Sequence, residues 1–319
     1  MTTDAQPALQ STDLIMMVRP ASFRMNEQTA VNNAYQQSGD GEVNAMEIAQ
    51  EEFDGVVAAL EGQGVRVAAY DDDPDADTPD ALFPNNWVSF HRDGRVGLYP
   101  MFAPNRRKER RESLLHMLAE DHNLDMREWV DFTEFESHDV FLEGTGSLIL
   151  DRINRVAYAA ISPRTELQAA HQWCEVMDYT LIDFTAYQTT GDTQDPIYHT
   201  NVMLAIGTEW AVVCADIIRD ADERTKVLEA LRQSGRTVVE ISAEQVNGFA
   251  GNVLEVRNAD QHPLIAMSSA AHGAFTDEQR AILESHARIV HSPIPTIERL
   301  GGGSVRCMLA EVFLPQNPS

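Results

Sequence analysis

The sequence predicts an α/β fold, a five-bladed pseudo-symmetric α/β propeller made of five hairpin–helix–strand units of roughly 55 residues. Three observations carry this prediction. Two short apolar stretches around a tight turn, an amphipathic stretch and a third apolar stretch recur in that order along the chain. The last unit lacks a partner strand, and an apolar run near the N-terminus is available to complete it. Five polar or reactive residues stand at near-constant separation, one at the start of each unit. Repetition around an axis closes a ring and leaves few bare sheet edges. The competing reading is two independent α/β domains.

The elements follow in order. Residues 14–18 form a short apolar run that reads as a buried strand, residues 44–60 carry helical spacing, and residues 65–70 read as a strand. Residues 71–80 are an acidic, proline-containing loop. Residues 87–90 and 96–99 flank a glycine-bearing turn, with a helix over 106–120 and a strand near 128–132 behind them. The second hairpin spans 147–161, with a helix over 165–177 and a strand over 180–184. The third spans 201–216, followed by a helix over 221–233 and a strand over 237–241. The fourth pairs 253–257 with 263–267, followed by a helix over 276–286 and a strand over 288–291. Residues 305–313 begin the fifth unit. Residues 1–12 are expected to be a flexible N-terminal segment, and residues 13–319 a single catalytic domain.

Composition narrows the function classes. The chain has 319 residues, 43% of them apolar, which is enough for a full core. It carries 24 basic and 50 acidic residues, a net charge of −26. Such a surface repels phosphate backbones, so neither nucleic acid nor an anionic membrane is expected as a partner. Lys108 and Lys226 are the only lysines. No apolar run approaches the ~20 residues of a membrane span, and the polar N-terminus has no signal-peptide pattern. Cys174, Cys214 and Cys307 show no C-x-x-C spacing, which fits a reducing cytoplasm and argues against a disulfide framework or a cysteine-rich zinc site. No phosphate loop or dinucleotide fingerprint is present. No metal or organic cofactor is expected.

The five spaced residues are Asn86 in FPNNW, Glu143 in FLEGTG, His199 in IYHTN, Asn252 in FAGNV and Cys307 in GGGSVRCM. Their separations are 57, 56, 53 and 55 residues. In a closed ring all five would meet at one end of the hub. A core does not need five such side chains together; a catalytic pocket does. A thiol serves as a nucleophile once deprotonated, and an imidazole can move protons. Each residue read alone is weak: a single Cys is more often inert core, and a turn cap is the other reading of Asn252. Cys174 and Cys214 sit inside periodic segments and read as packing. Trp87 reads as core, and His138-Asp139 as a pair that hydrogen-bonds locally, with orientation of the site the alternative.

With these motifs the chain resembles the guanidino-group-modifying superfamily, the penteins or amidinotransferase fold, from about residue 14 onward. FPNNWVSFH, EGTGSLILDR, YHTNVML and GGGSVRCMLAE look most like the citrulline-utilisation hydrolase type. The resemblance implies a cysteine-dependent hydrolase for a ureido or guanidino amino acid. Cys307 would be the nucleophile, His199 the proton carrier, and Glu143 the group holding His199 and the substrate. SPRT implies Arg164 as a clamp on the substrate carboxylate. NRRKERRE resembles, more loosely, a second clamp at Arg106 or Arg107, where a solvated helix start is the other reading. Asn86, Asn201 and Asn252 complete the expected substrate contacts. The implied partner is a small amino acid, and a homodimer is compatible with the family.

The chain departs from arginine-processing members at Asn86 and Asn201, where those enzymes place aspartates. A carboxylate grips a cationic guanidinium through charge-assisted bonds, and its loss around a buried guanidinium costs on the order of 3–5 kcal/mol. An amide can donate to a neutral ureido oxygen. The expectation is therefore citrulline hydrolysis to ornithine and carbamate through an S-carbamoyl intermediate. The alternatives are an arginine deiminase or dimethylarginine-hydrolase activity on the same thiol, and a catalytically silent binding protein.

Overall fold

Residues 9–37, 44–190 and 193–318 are described by a computed structural model. Five three-stranded sheets share one topology. In each, a first strand pairs antiparallel with a second, a helix crosses over, and a third strand returns parallel to the second. Parallel pairing requires such a crossover. The sheet Val88–Phe90, Arg95–Leu98, Glu128–Asp131 has Glu112–His122 as its crossover helix. Leu148–Asp151, Val156–Ala160 and Thr180–Phe184 use Leu167–Met177. Leu204–Ile206, Trp210–Val213 and Thr237–Glu240 use Ala221–Gln233. Leu254–Arg257, Pro263–Ser268 and Arg288–Ser292 use Asp277–His286.

The fifth sheet joins the two ends of the chain. Ala310–Glu311 pairs antiparallel with Leu14–Arg19, which runs parallel to Arg66–Asp71 through the helix Ala45–Glu61. The N-terminal strand thus completes the last unit, as the sequence predicts.

Local chemistry explains the elements. The crossover helices bury one stripe against their sheet: Ala169, Ala170, Trp173, Cys174 and Met177 in one, Ala49, Phe53, Val56 and Leu60 in another. Asp220 caps its helix by accepting from the Asp222 and Glu223 amides, and Thr276 closes a reciprocal capping box with Gln279. The first and second strands are buried almost throughout, whereas the third strands alternate exposed and buried residues, as Glu128–Asp131 and Thr237–Glu240 do. First strands of neighbouring sheets lie side by side: Leu148–Asp151 against Leu204–Ile206, and Ala310–Glu311 against Val88–Phe90.

Three expectations need correction. Of the segment expected to be flexible, residues 1–8 lie outside the described residues, but residues 10–12 are tied down. Gln10 Nε2 donates to the carbonyls of Leu150 (2.8 Å) and Ile206 (3.3 Å), and Ser11 Oγ donates to Glu255 Oε1 at 2.7 Å. The helix expected from residue 106 begins at Glu112; Pro104–Glu109 is a 3₁₀ turn, because Arg106 folds inward onto Glu109 and away from a helical stripe. An extra hairpin, Tyr187–Thr190 with Thr193–Pro196, stands outside the five units.

Candidate active site

Each of the five spaced residues stands within five residues of the start of its unit's first strand. Asn86 ends the turn Pro84–Asn86, Glu143 and His199 immediately precede the turns Gly144–Ser147 and Thr200–Val202, and Cys307 lies in Val305–Met308. Asn252 stands two residues before Leu254–Arg257. All five are buried.

Three of the turns bring charge together. His199 Nε2 lies 2.8 Å from Glu143 Oε2. Arg164 Nη1 and Arg106 Nη1 stand 3.6 and 3.8 Å from the same oxygen. Burial alone would push the Glu143 carboxyl up, but Arg164, His199 and Arg106 outweigh it and hold it at about 2. Burial pushes His199 down to about 4 against the pull of Glu143, so the ring is neutral at pH 7. An ionised carboxylate only accepts, so Nε2 carries the ring proton and Nδ1 keeps the lone pair. His199 is thereby set up as a base through Nδ1. A Cβ at Gly146 would sit 2.8 Å from that atom, so glycine leaves the room this arrangement needs.

The thiol is held by amides. Asn252 Nδ2 lies 3.2 Å and Asn201 Nδ2 3.3 Å from Cys307 Sγ, and Asn252 Nδ2 also donates to the Asn201 carbonyl at 3.0 Å. Two N–H donors fix the position of the sulfur. Asn252 and Asn201 therefore meet the sulfur, where the sequence reading had them meeting substrate. Arg306 turns away, to the Leu309 carbonyl and Glu311. Cys174 and Cys214 are packed in the core, and burial drives their thiols up to about 12 and 11.

Arg106 is not a free clamp. Its Nε and Nη2 grip Glu109 in a fork of two 2.9 Å bonds, Nη2 also reaches the Phe83 carbonyl, and Nη1 donates to Asn86 Oδ1 at 2.9 Å. The guanidinium is fully engaged, so its place in the site is structural. It also decides how Asn86 points. Arginine has no acceptor, so the atom it meets must be the amide oxygen, and Nδ2 faces the other way. That Nδ2 is buried without a partner. Arg107 is half-buried and bonds the Met101 carbonyl and Glu136.

Arg164 donates through Nε and Nη2 to Asn32 Oδ1 and through Nη2 to the Thr29 carbonyl at 2.7 Å, leaving Nη1 toward Glu143. Asn86, Arg106, Arg164, His199 and Cys307 line one cavity. It measures about 10 Å³, room for roughly one water. The roof is the segment 20–37. Asn33 Nδ2 and Gln36 Nε2 donate to the carbonyls of Gly302 and Gly301.

Sequence reading passed over this roof, which has no periodic pattern, and also Asp80. The Asp80 side chain lines the cavity; Oδ2 accepts from Asn26 and Thr29, and Oδ1 is buried without a partner. A lone aspartate in an acidic loop carries no signal that would single it out. His138 and Asp139 are exposed, and Trp87 is fully buried.

A family model described as N,N dimethylarginine dimethylhydrolase, eukaryotic, matches residues 19–314. Comparison with curated proteins found no match. Among solved structures, the fold is similar to ArgZ, an arginine dihydrolase from the ornithine–ammonia cycle in cyanobacteria, at TM-score 0.71 and 17% identity. That alignment covers 96% of this chain and 41% of ArgZ. With the N-terminal domain of ArgZ bound to substrate the values are TM-score 0.69 and 16% identity, over 94% of this chain and 99% of the domain. A dimethylarginine dimethylaminohydrolase captured as an adduct with S-methyl-L-thiocitrulline matches at TM-score 0.61 and 14% identity, over 93% of this chain and 98% of that one.

Proposed function

This chain belongs to the N,N dimethylarginine dimethylhydrolase family, hydrolases of carbon–nitrogen bonds, and from that premise we propose that it hydrolyses a ureido amino acid, citrulline, to ornithine and carbamate. Residues 13–319 act as one catalytic domain, its five sheets the blades of a propeller with the thiol at the hub. The reading places the enzyme in the citrulline-utilisation branch and in the cytoplasm. The observation that carries the substrate choice is the orientation of Asn86. Arg106 fixes its oxygen, so Nδ2, buried and without a partner, is the N–H donor left over on a residue that lines the cavity with His199. A ureido oxygen accepts from that donor; a guanidinium, which has only donors, cannot.

The reaction follows from the same groups. His199 Nδ1 takes the thiol proton, and the Cys307 sulfur attacks the ureido carbon while Asn86 Nδ2 meets the oxygen that gains charge. The bond from that carbon to the ornithine nitrogen breaks, and the His199 proton goes to that nitrogen. An S-carbamoyl thioester remains. His199 Nδ1 then takes a proton from water, the hydroxyl adds to the thioester carbon, and the carbon–sulfur bond breaks. Thiolate and carbamate leave, and carbamate decomposes to ammonia and carbon dioxide. Glu143 keeps the imidazole oriented and stabilises its charged form, Asn201 and Asn252 hold the thiolate, and Arg164 Nη1 is the one guanidinium arm available to the substrate carboxylate.

A second reading is arginine or a methylated arginine as substrate. The free Asp80 oxygen favours it, because a carboxylate facing the cavity suits a cationic group. The test is a panel of citrulline, arginine, methylated arginines and agmatine, with ornithine, citrulline and ammonia all measured. Ornithine from citrulline, faster than any product from arginine, is expected. Faster turnover of arginine would replace the ureido reading with the second.

A further inference from the structure

The first strands have two ends, and the catalytic turns occupy only one. At the other end the hairpin turns after Phe90 and Asp151, the segment after Glu311 and residues 9–14 enclose an open cleft of about 860 Å³. That is within the range of small-molecule sites. Its walls carry five guanidinium groups, Arg66, Arg92, Arg95, Arg152 and Arg155, against three carboxylates, Asp13, Asp93 and Asp178. The chain as a whole has a charge of −26. Among the described residues the lining holds more guanidinium groups than carboxylates, which is unusual on so acidic a molecule.

Arg152 is the decisive group. Its side chain is 8% exposed, yet it makes no hydrogen bond closer than a 3.6 Å approach to Glu311 Oε1, a carboxylate already bonded to Arg306 at 3.1 Å. The Arg152 guanidinium carbon stands 4.0 Å from the centroid of the Phe313 ring, and the residue lines the cleft. Its ion pair with Glu311 is shared with Arg306, so two guanidinium groups divide one carboxylate. Its neighbours behave otherwise: Arg66 is paired with Asp13, Arg95 with Asp93, and Arg155 with the Met177 and Asp178 carbonyls. His91, on the same wall, is kept neutral by burial and by the Arg152 charge.

We propose that this cleft is a second ligand site, separate from the thiol pocket, that binds a small multivalent anion carrying two or more carboxylate or phosphate groups. One anionic group seats on the Arg152 fork above Phe313, and another meets Arg155 or Arg95 at the rim. Bidentate recognition of planar or tetrahedral oxyanions is what an arginine fork does best.

The test is calorimetric titration of the full chain with inorganic phosphate and, separately, with citrate, at ionic strength held constant with chloride. One saturable site is expected for at least one probe. Phosphate alone would mark a phosphate-bearing ligand, and citrate alone or preferred would mark a polycarboxylate. Arg152→Gln is expected to weaken binding about tenfold or more, the loss of one charge-assisted contact. Arg155→Gln, at the more exposed rim, is expected to weaken it by a smaller factor and serves as the second variant if Arg152→Gln does not fold. No saturable binding to the wild-type chain, or equal binding by wild type and folded variants, would overturn the proposal.

Discussion

The two ends of the first strands solve opposite problems. At the thiol end the charged side chains of the charge network are in place before any substrate arrives: Arg106 with Glu109 and Asn86, Arg164 with Asn32 and Glu143, Glu143 with His199. The cavity there holds about 10 Å³, and two of its lining residues carry an unpartnered atom, Asn86 Nδ2 and Asp80 Oδ1. At the arginine end the cleft is open to about 860 Å³, and the buried Arg152 shares the Glu311 carboxylate with Arg306. A catalytic pocket gains from groups that need no reorganisation during reaction. A binding cleft gains from an unsatisfied group that the ligand itself completes.

Breaking the thiol end has the largest expected effect. Cys307→Ser should lower turnover by several orders of magnitude, as removal of a nucleophile does, and leave phosphate or citrate binding at the cleft unchanged. Assaying both on the same preparation checks that the two ends are independent. His199→Ala should cost about 10²–10⁴-fold in kcat, the usual worth of a positioned acid–base group. Glu143→Gln should also cut kcat, because it removes the carboxylate that orients the His199 ring and stabilises its charged form.

Asn86→Asp sharpens the comparison at the substrate level. It replaces the lone N–H donor with an acceptor, so the ratio of citrulline to arginine turnover should fall by about tenfold or more. An unchanged ratio would mean that Asn86 does not read the substrate.

The buried pair also sets acid stability. His199 has a folded value near 4, below its ordinary 6.5, so the unfolded chain binds the extra proton in that interval. Stability should therefore fall as pH drops from about 6.5 toward 4, by an amount of order 3 kcal/mol from this group. Glu143, held at about 2 against an ordinary 4.5, adds a further loss below pH 4.5. Urea midpoints of wild type and His199→Gln across pH 7 to 4 check this, the variant showing the shallower slope.

The smallest effect belongs to the roof. A cavity of about 10 Å³ is too small for an amino acid, and Asn33 of segment 20–37 is among its lining residues. Asn33→Ala removes the 3.3 Å bond to the Gly302 carbonyl and the 3.1 Å bond that Oδ1 accepts from the Tyr35 amide. A change of about 1 kcal/mol per bond is expected, read as a modest shift in KM with kcat nearly constant.

The parts legible in the sequence are those that repeat. The hairpin–helix–strand order is written in apolar spacing, and the near-equal intervals from Asn86 to Cys307 follow because each unit delivers its first turn to one place. The lone apolar strand at residues 14–18 found its partner across the whole chain for the same reason: Ala310–Glu311 had an open edge. What repeats do not encode was missed. The roof has no period, so Thr29, Asn32 and Asn33 could not be connected with Arg164 and Gly302. Arg106 was read as a clamp because its fork onto Glu109 depends on an inward 3₁₀ turn after Pro104, not on helical spacing. Asn252 was expected against substrate and instead meets the Cys307 sulfur, since spacing says nothing of which neighbour an amide meets.

The most direct test of the central claim is to quench the enzyme during citrulline turnover and weigh the peptide that carries Cys307. The mechanism predicts a mass gain of one carbamoyl group on that peptide, absent in Cys307→Ala and removed when the reaction runs to completion. Ornithine release with no adduct on Cys307, or continued release by Cys307→Ala, would contradict it.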